Sequence, residues 1–210
     1  MQRFILAVLA ASFGLAGSAQ AQRQHPVVRS SSRWVLNGHS SMALGTSVTD
    51  AFNEVKTSSG LGAGVEVGYR VTPRLLTYAG LEINKQPVDA FDLEGDFGLT
   101  HLEAGARYSF PITGSKMLPY IGAWVGRRSL STTLDDFDAG TSSDFSMSGL
   151  AAGASGGVQL FVSPKLALDG GLSIGVGKMG NIKVDGQKQT TQGLESTTTT
   201  RIRFGANWYP

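Results

Sequence analysis

The sequence predicts an all-β chain, an eight-stranded antiparallel up-and-down transmembrane β-barrel. Three observations predict it. Apolar and other residues alternate with period two in one long run after another, and no stretch behind the first 22 residues shows a period near 3.6. The connections between runs alternate strictly between short and long. Composition points the same way: 28 of the 210 residues are glycine, 41% are apolar and only 16% are charged. A disordered chain would be richer in charge and poorer in apolar residues. The absence of cysteine excludes a disulfide scaffold, a thiolate metal site and a Cys nucleophile. A net charge of +2 leaves no electrostatic footprint for nucleic acid.

Residues 1–21 read as a signal peptide. Arg3 supplies the charged start, an apolar stretch runs from Phe4 to about Ala16, and Ala19-x-Ala21 is a signal-peptidase pattern, with cleavage expected after Ala21. The apolar stretch is too short to cross roughly 30 Å of hydrocarbon as a helix. The expected organisation is therefore a signal peptide over 1–21, an N-terminal lead over 22–32 and one barrel domain over 33–210.

The predicted strands follow in order. The first covers about 33–46. The second, 61–71, is the clearest: Leu61, Ala63, Val65, Val67, Tyr69 and Val71 alternate with Gly62, Gly64, Glu66, Gly68 and Arg70. The third covers 75–84. The fourth, 101–110, sets Leu102, Ala104, Ala106, Tyr108 and Phe110 against His101, Glu103, Gly105, Arg107 and Ser109. The fifth, sixth and seventh cover 119–129, 150–162 and 166–176. The eighth sets Ile202, Phe204, Ala206 and Trp208 against Arg201, Arg203, Gly205 and Asn207. Thr72-Pro73-Arg74, residues 111–118 and Ser163-Pro164-Lys165 are the short links, with Pro where no ladder donor is needed. The polar stretches 47–59, 85–96, 130–146 and 177–196 are the expected long loops. Residues 71–83 and 162–174 align without a gap with six identities in thirteen positions, so two hairpins look like copies of one unit.

A soluble barrel alternates too, with its apolar parity inside. Three features favour the membrane. Each strand is long enough, since about ten or eleven tilted residues cross an outer membrane. All seven lysines fall in the expected connections or at strand ends, whereas a water-facing strand surface would carry them freely. Trp34, Tyr69, Tyr108, Phe110 and Trp208 gather where strands meet the short turns, all on the apolar parity, as an interfacial girdle would. Closure follows, because in a bilayer no strand edge can stay unpaired.

The signal peptide, the eight strands, the repeated [TS]-P-[RK]-L turns and the Pro119-Tyr120-Ile121-Gly122 strand opening resemble the small outer-membrane β-barrel superfamily of opacity-like, OmpA-like and OmpX-like proteins. The resemblance spans essentially all of 33–210. It implies residence in the outer membrane of a Gram-negative-type bacterium, short turns in the periplasm and long loops outside. It further implies contact with outer-membrane lipid and lipopolysaccharide, and recognition of the C-terminal strand by the barrel-assembly machinery. Family members usually end on an aromatic; here Asn207-Trp208-Tyr209-Pro210 supplies aromatics and then departs from the pattern with proline.

The polar parity supplies Glu66, Arg70, Glu82, Glu103, Arg107, Arg128, Asp169, Arg201 and Arg203. The interior of an eight-stranded barrel is just wide enough for side chains to fill, so these charges are expected to form a paired network across it. Glu66 and Arg70, like Glu103 and Arg107, stand four apart on one strand, about 13 Å, and so cannot pair there. The same groups could instead line a narrow porin-like channel. A lipid-modifying enzyme is the other alternative, since barrels resembling this one in size use His with Ser and an acid. His25 and His39 offer no such setting; His101 and Glu103, two apart on one face, are about 7 Å from each other. No serine is marked as a nucleophile, so no catalytic residue is assigned. Carboxylates cluster at Asp89, Asp92, Glu94 and Asp96 and again at Asp135, Asp136, Asp138 and Asp144. Phe97 stands where a calcium loop needs Gly, so no metal site and no cofactor is expected. The function read from the sequence is a structural or surface-loop interaction role.

Overall fold

The computed structural model describes residues 32–49, 54–56, 59–87, 96–136, 141–184, 187–189 and 195–210. The expected signal peptide, nearly all of the N-terminal lead, His25, Asp89, Asp92, Glu94 and Asp138 lie outside the described residues. The described chain forms β1 (Trp34–Thr49), β2 (Glu54–Lys56), β3 (Gly60–Arg70), β4 (Leu75–Pro87), β5 (Asp96–Ser109), β6 (Met117–Asp136), β7 (Thr141–Ser163), β8 (Leu166–Val184), β9 (Gln187–Gln189) and β10 (Glu195–Trp208). Eight long strands pair antiparallel in the ring β1–β3–β4–β5–β6–β7–β8–β10, and β10 closes back on β1. The three-residue strands β2 and β9 only lengthen the long-loop ends of β1 and β8.

The register fixes the shape. Crossing the ladder from Ala43 through Arg201, Ser173, Ser155, Gly122, Arg107, Leu76 and Arg70 returns to β1 at Arg33, a stagger of ten residues. With about 3.3 Å per residue and about 4.8 Å between strands, that stagger tilts the strands by roughly 40°. Being even, it carries each strand's inward parity into the next all the way round.

The burial pattern is inverted relative to a soluble protein. Val65 and Leu150 are 61% and 77% exposed on the outside, while Glu82 and Arg201 are 2% and 0% exposed inside. A continuous apolar outer face around a charged interior is stable only in lipid.

The two proline turns share one device. The Thr72 hydroxyl accepts the Arg74 N–H (3.3 Å) and the Leu75 N–H (3.0 Å), and the Ser163 hydroxyl accepts the Lys165 N–H (3.3 Å). The repeated [TS]-P-[RK] is thus a hydroxyl-capped turn, the proline lacking a donor where none is called for. In the third turn Gly114, at φ 73°, lets the Ser115 N–H reach the Ile112 carbonyl at 3.1 Å.

Three features correct the sequence reading. The strands overrun the predicted segments: β6 and β7 stay paired as far as Asp136 with Thr141, and β8 runs to Val184, inside stretches expected to be loop. Backbone pairing continues past the residues over which apolar alternation is visible in the sequence. Nor is lysine confined to connections and strand ends, since Lys178 lies six residues inside β8. Finally, the lumen is not polar throughout. Val35, Leu118, Phe161, Ala167 and Tyr209 form an apolar plug at the short-turn end, with Phe161 and Tyr209 stacked at 5.4 Å.

The inverted burial gives a quantitative expectation. Val65→Lys places a charge in mid-belt and is expected to destabilise the barrel by roughly 2–4 kcal/mol. Urea titration of the refolded protein in vesicles checks this, with the heat-dependent gel shift as the folded marker.

Candidate functional site: a braced lumen

Strand alternation and the even stagger aim residues from opposite walls at the barrel axis. Glu66 on β3 lies 2.7 Å from Arg107 of β5 and 2.7 Å from Arg203 of β10. Glu82 on β4 accepts from Arg201 at 3.1 Å, and Glu103 on β5 accepts from the same guanidinium at 2.9 Å. Arg203 also reaches Glu103 at 3.1 Å. Three carboxylates and three guanidiniums thus form one contiguous, charge-balanced cluster, all of it buried. Fixed planar arginine forks suit this sharing, because each can serve two carboxylates at once.

The cluster is continued by further polar groups. His39 meets Glu82 at 3.2 Å and Asn37 at 2.8 Å; Asn84 donates to Glu82 at 2.8 Å and accepts from Ser41 at 2.8 Å. Arginine faces lie on aromatic rings: Arg107 is 4.2 Å from the Tyr78 centroid and Arg201 5.0 Å from that of Trp124. Room for these rings comes from glycine. A Cβ at Gly153 or Gly175 would run into Trp124, and one at Gly157 or Gly171 into Tyr120.

The other three charges named from sequence stand apart from the cluster. Arg128 lies over Trp124 at 5.4 Å with Thr197 as its hydroxyl partner at 3.5 Å, and among the described residues its Nε and Nη2 have no hydrogen-bond partner. Asp169 accepts from Tyr120 and Asn207, each at 3.0 Å. Arg70 sits over the Tyr209 ring at 5.0 Å, at the short-turn mouth. The five aromatics line that same end on the outside. Trp34 and Tyr69 meet edge-on at 5.1 Å, Tyr108 and Phe110 at 5.2 Å, and Trp208 is 48% exposed. Arg33 and Arg74 donate to the Tyr69 and Tyr108 hydroxyls at 3.2 and 3.4 Å, which ties cations to the girdle.

An inverted surface, a closed ring and a girdle together describe a protein of the outer membrane, and comparison with known proteins agrees. Residues 7–209 match the family described as outer membrane protein beta-barrel domain. The chain belongs to that family. Its members are outer-membrane proteins of Gram-negative bacteria, in contact with lipid and lipopolysaccharide. Among solved structures, the neisserial surface protein A (NspA) superposes with a TM-score of 0.60 at 20% identity, covering 85% of this chain and 98% of that one. Ail, the attachment invasion locus protein of Yersinia pestis, gives 0.54 at 13%, covering 84% and 98%. OprG of Pseudomonas aeruginosa gives 0.53 at 10%, covering 86% and 96%. At these identities the likeness is one of fold. No curated protein matches the sequence significantly.

Within this barrel domain the histidines are enclosed. Both ring nitrogens of His39 are engaged, and His101 is 1% exposed with its Nε2 unpartnered among the described residues. Sequence reasoning passed over Tyr78, Tyr120 and Trp124. Their inward parity beside paired inward glycines was the signal that could have found them.

Removing one member of the cluster strands its partners. Arg201→Met leaves Glu82 and Glu103 underpaired and is expected to cost about 3–5 kcal/mol. The temperature of the heat-dependent gel shift should fall accordingly, while Arg74→Met, at the exposed rim, should leave it unchanged.

Proposed function

We propose that the protein is a non-conducting outer-membrane barrel whose role is structural and interactive, exercised at its long-loop end and through its lipid contacts. The observation that carries this reading is the braced lumen. The cavity among Glu66, Arg107, Tyr120, Asp169 and Arg203 measures about 10 Å³, room for roughly one water. A hydrated ion would have to part guanidinium–carboxylate contacts to pass, and the apolar plug at Val35, Leu118 and Phe161 closes the way below. The β6–β7 hairpin supports the interactive half. From Arg127–Leu150 to Asp136–Thr141 it runs nine residues further, roughly 30 Å along the strand, as a paired rod beyond the apolar belt. Strand β10, with Trp208 and Tyr209 at its end, is the element the assembly machinery would engage. No catalytic role is proposed, since His39 and His101 are shut away from lipid.

In planar bilayers the wild-type barrel is expected to give no steady conductance. The double variant Glu66→Ala with Arg107→Ala, which removes one carboxylate and one guanidinium together, is expected to open discrete conductance steps. A steady wild-type current abolished by substitution at Arg107 or Arg128 would replace this reading with the narrow channel.

A further inference from the structure

The outer face of the barrel is interrupted at one level by two cations. Arg127 of β6 and Lys178 of β8 are both exposed on the outward parity, on either side of Leu150 of β7. The ladder pairs Arg127 with Leu150 and Leu150 with Lys178. Two strand spacings put their backbones about 10 Å apart, within reach for two long side chains to converge on one anion. The next strands at the same level contribute Leu102 and Ser196, so no carboxylate on this rung answers the two charges. An outward cation without a counter-charge is unfavourable where the belt begins.

Arg127 is also held in place. Its Nη2 donates to the Ser148 hydroxyl at 3.0 Å, and Ser148 in turn lines the head of a groove beside it. The groove has a volume of about 990 Å³ and runs down the outside of the barrel, with Ser148, Leu150 and Lys178 at its head and Val125, Ala152 and Val176 below. It exists because the small Ala152 lies between two branched walls, Val125 and Val176 being its direct neighbours on β6 and β8. Beneath the cations, therefore, lies a trough as apolar as a hydrocarbon chain, at the level where the belt gives way to polar surface.

We propose that this groove binds a phosphorylated, acylated glycolipid of the outer leaflet, its phosphate between Arg127 and Lys178 and one acyl chain along β7 over Ala152. The complementarity is twofold: charge at the head and apolar shape below. A surface that merely tolerated lipid would need neither cation nor trough. The site rests on the outer-membrane placement of the barrel and is independent of whether the lumen conducts.

The full barrel, refolded in detergent and titrated with diphosphorylated lipid A, reports occupancy directly by native mass spectrometry. Dephosphorylated lipid A and phosphatidylglycerol serve as competitors. Wild type is expected to retain the diphosphorylated lipid at least tenfold better than either competitor. Arg127→Gln with Lys178→Gln should remove that preference, and Ala152→Trp, which fills the trough and leaves both cations, should lower occupancy to a similar degree. Lys85→Gln, an outward cation on β4 away from the groove, should change nothing. The heat-dependent gel shift certifies that each variant is folded, and the double variant stands as the test if Ala152→Trp is not. Equal retention by the Arg127/Lys178 variant, or equal binding of the dephosphorylated lipid or of phosphatidylglycerol, would overturn the site.

Discussion

Closure of eight strands with a stagger of ten is the constraint on which the rest of the structure depends. In hydrocarbon an unpaired strand edge cannot be solvated, so β10 must return to β1, and the register of that last seam sets tilt and diameter together. The resulting lumen is too narrow for bulk water and too wide for backbones to touch. Long side chains from opposite walls therefore meet, and whatever polarity they carry must be satisfied among themselves. Glutamate and arginine have the reach for this; inward glycine makes the space where Tyr78, Tyr120 and Trp124 lie across the interior. Wide and narrow residues on neighbouring strands are one packing solution seen from two sides.

Charge balance explains why so much ionisable material sits in the middle of this barrel without opening it. Glu66, Glu82 and Glu103 against Arg107, Arg201 and Arg203 is a neutral set, and each acid touches at least two of the cations. Desolvation of a single pair commonly exceeds its Coulomb gain, whereas a lattice in which every member has several partners recovers more of that cost. Arg128 and Asp169 stand outside the lattice and are handled differently. Each is met by a ring or by neutral donors rather than by an opposite charge, and the two lie on opposite sides of the cluster along the barrel axis.

Much of the fold was legible because period-two alternation in a long strand has one physical cause, a different solvent on each face. That signal gave the eight segments, their inward parity and the side on which Trp34, Tyr69, Tyr108, Phe110 and Trp208 lie. The turns were legible because Thr72 and Ser163 cap their own loops with local hydrogen bonds. The partner of each charge was not. Glu66 meets residues on β5 and β10, and that pairing depends on tilt and stagger, which belong to the closed ring and to no single strand. Strand ends were illegible for the complementary reason: in the outer stretches of β6, β7 and β8 the sequence no longer alternates, while the backbone hydrogen bonds persist. The apolar plug was not legible because Val35, Leu118 and Phe161 face inward while being as apolar as their outward neighbours, so alternation fades there.

The same reasoning separates Arg127 from Arg128. They are adjacent in sequence, so on a strand they must face opposite solvents. Arg128 is buried against Trp124 and serves the interior; Arg127 is turned outward, at the border between belt and polar rim, with Ser148 holding its guanidinium. Composition cannot tell the two apart, and parity alone calls Arg127 an anomaly on a lipid face. Only the rung that links it through Leu150 to Lys178, above the groove left by Ala152, turns an isolated misfit into one half of a pair. An outward charge that costs free energy in bare lipid becomes favourable once an anion of the bilayer itself neutralises it. The lipid face of this barrel is therefore patterned as deliberately as its lumen.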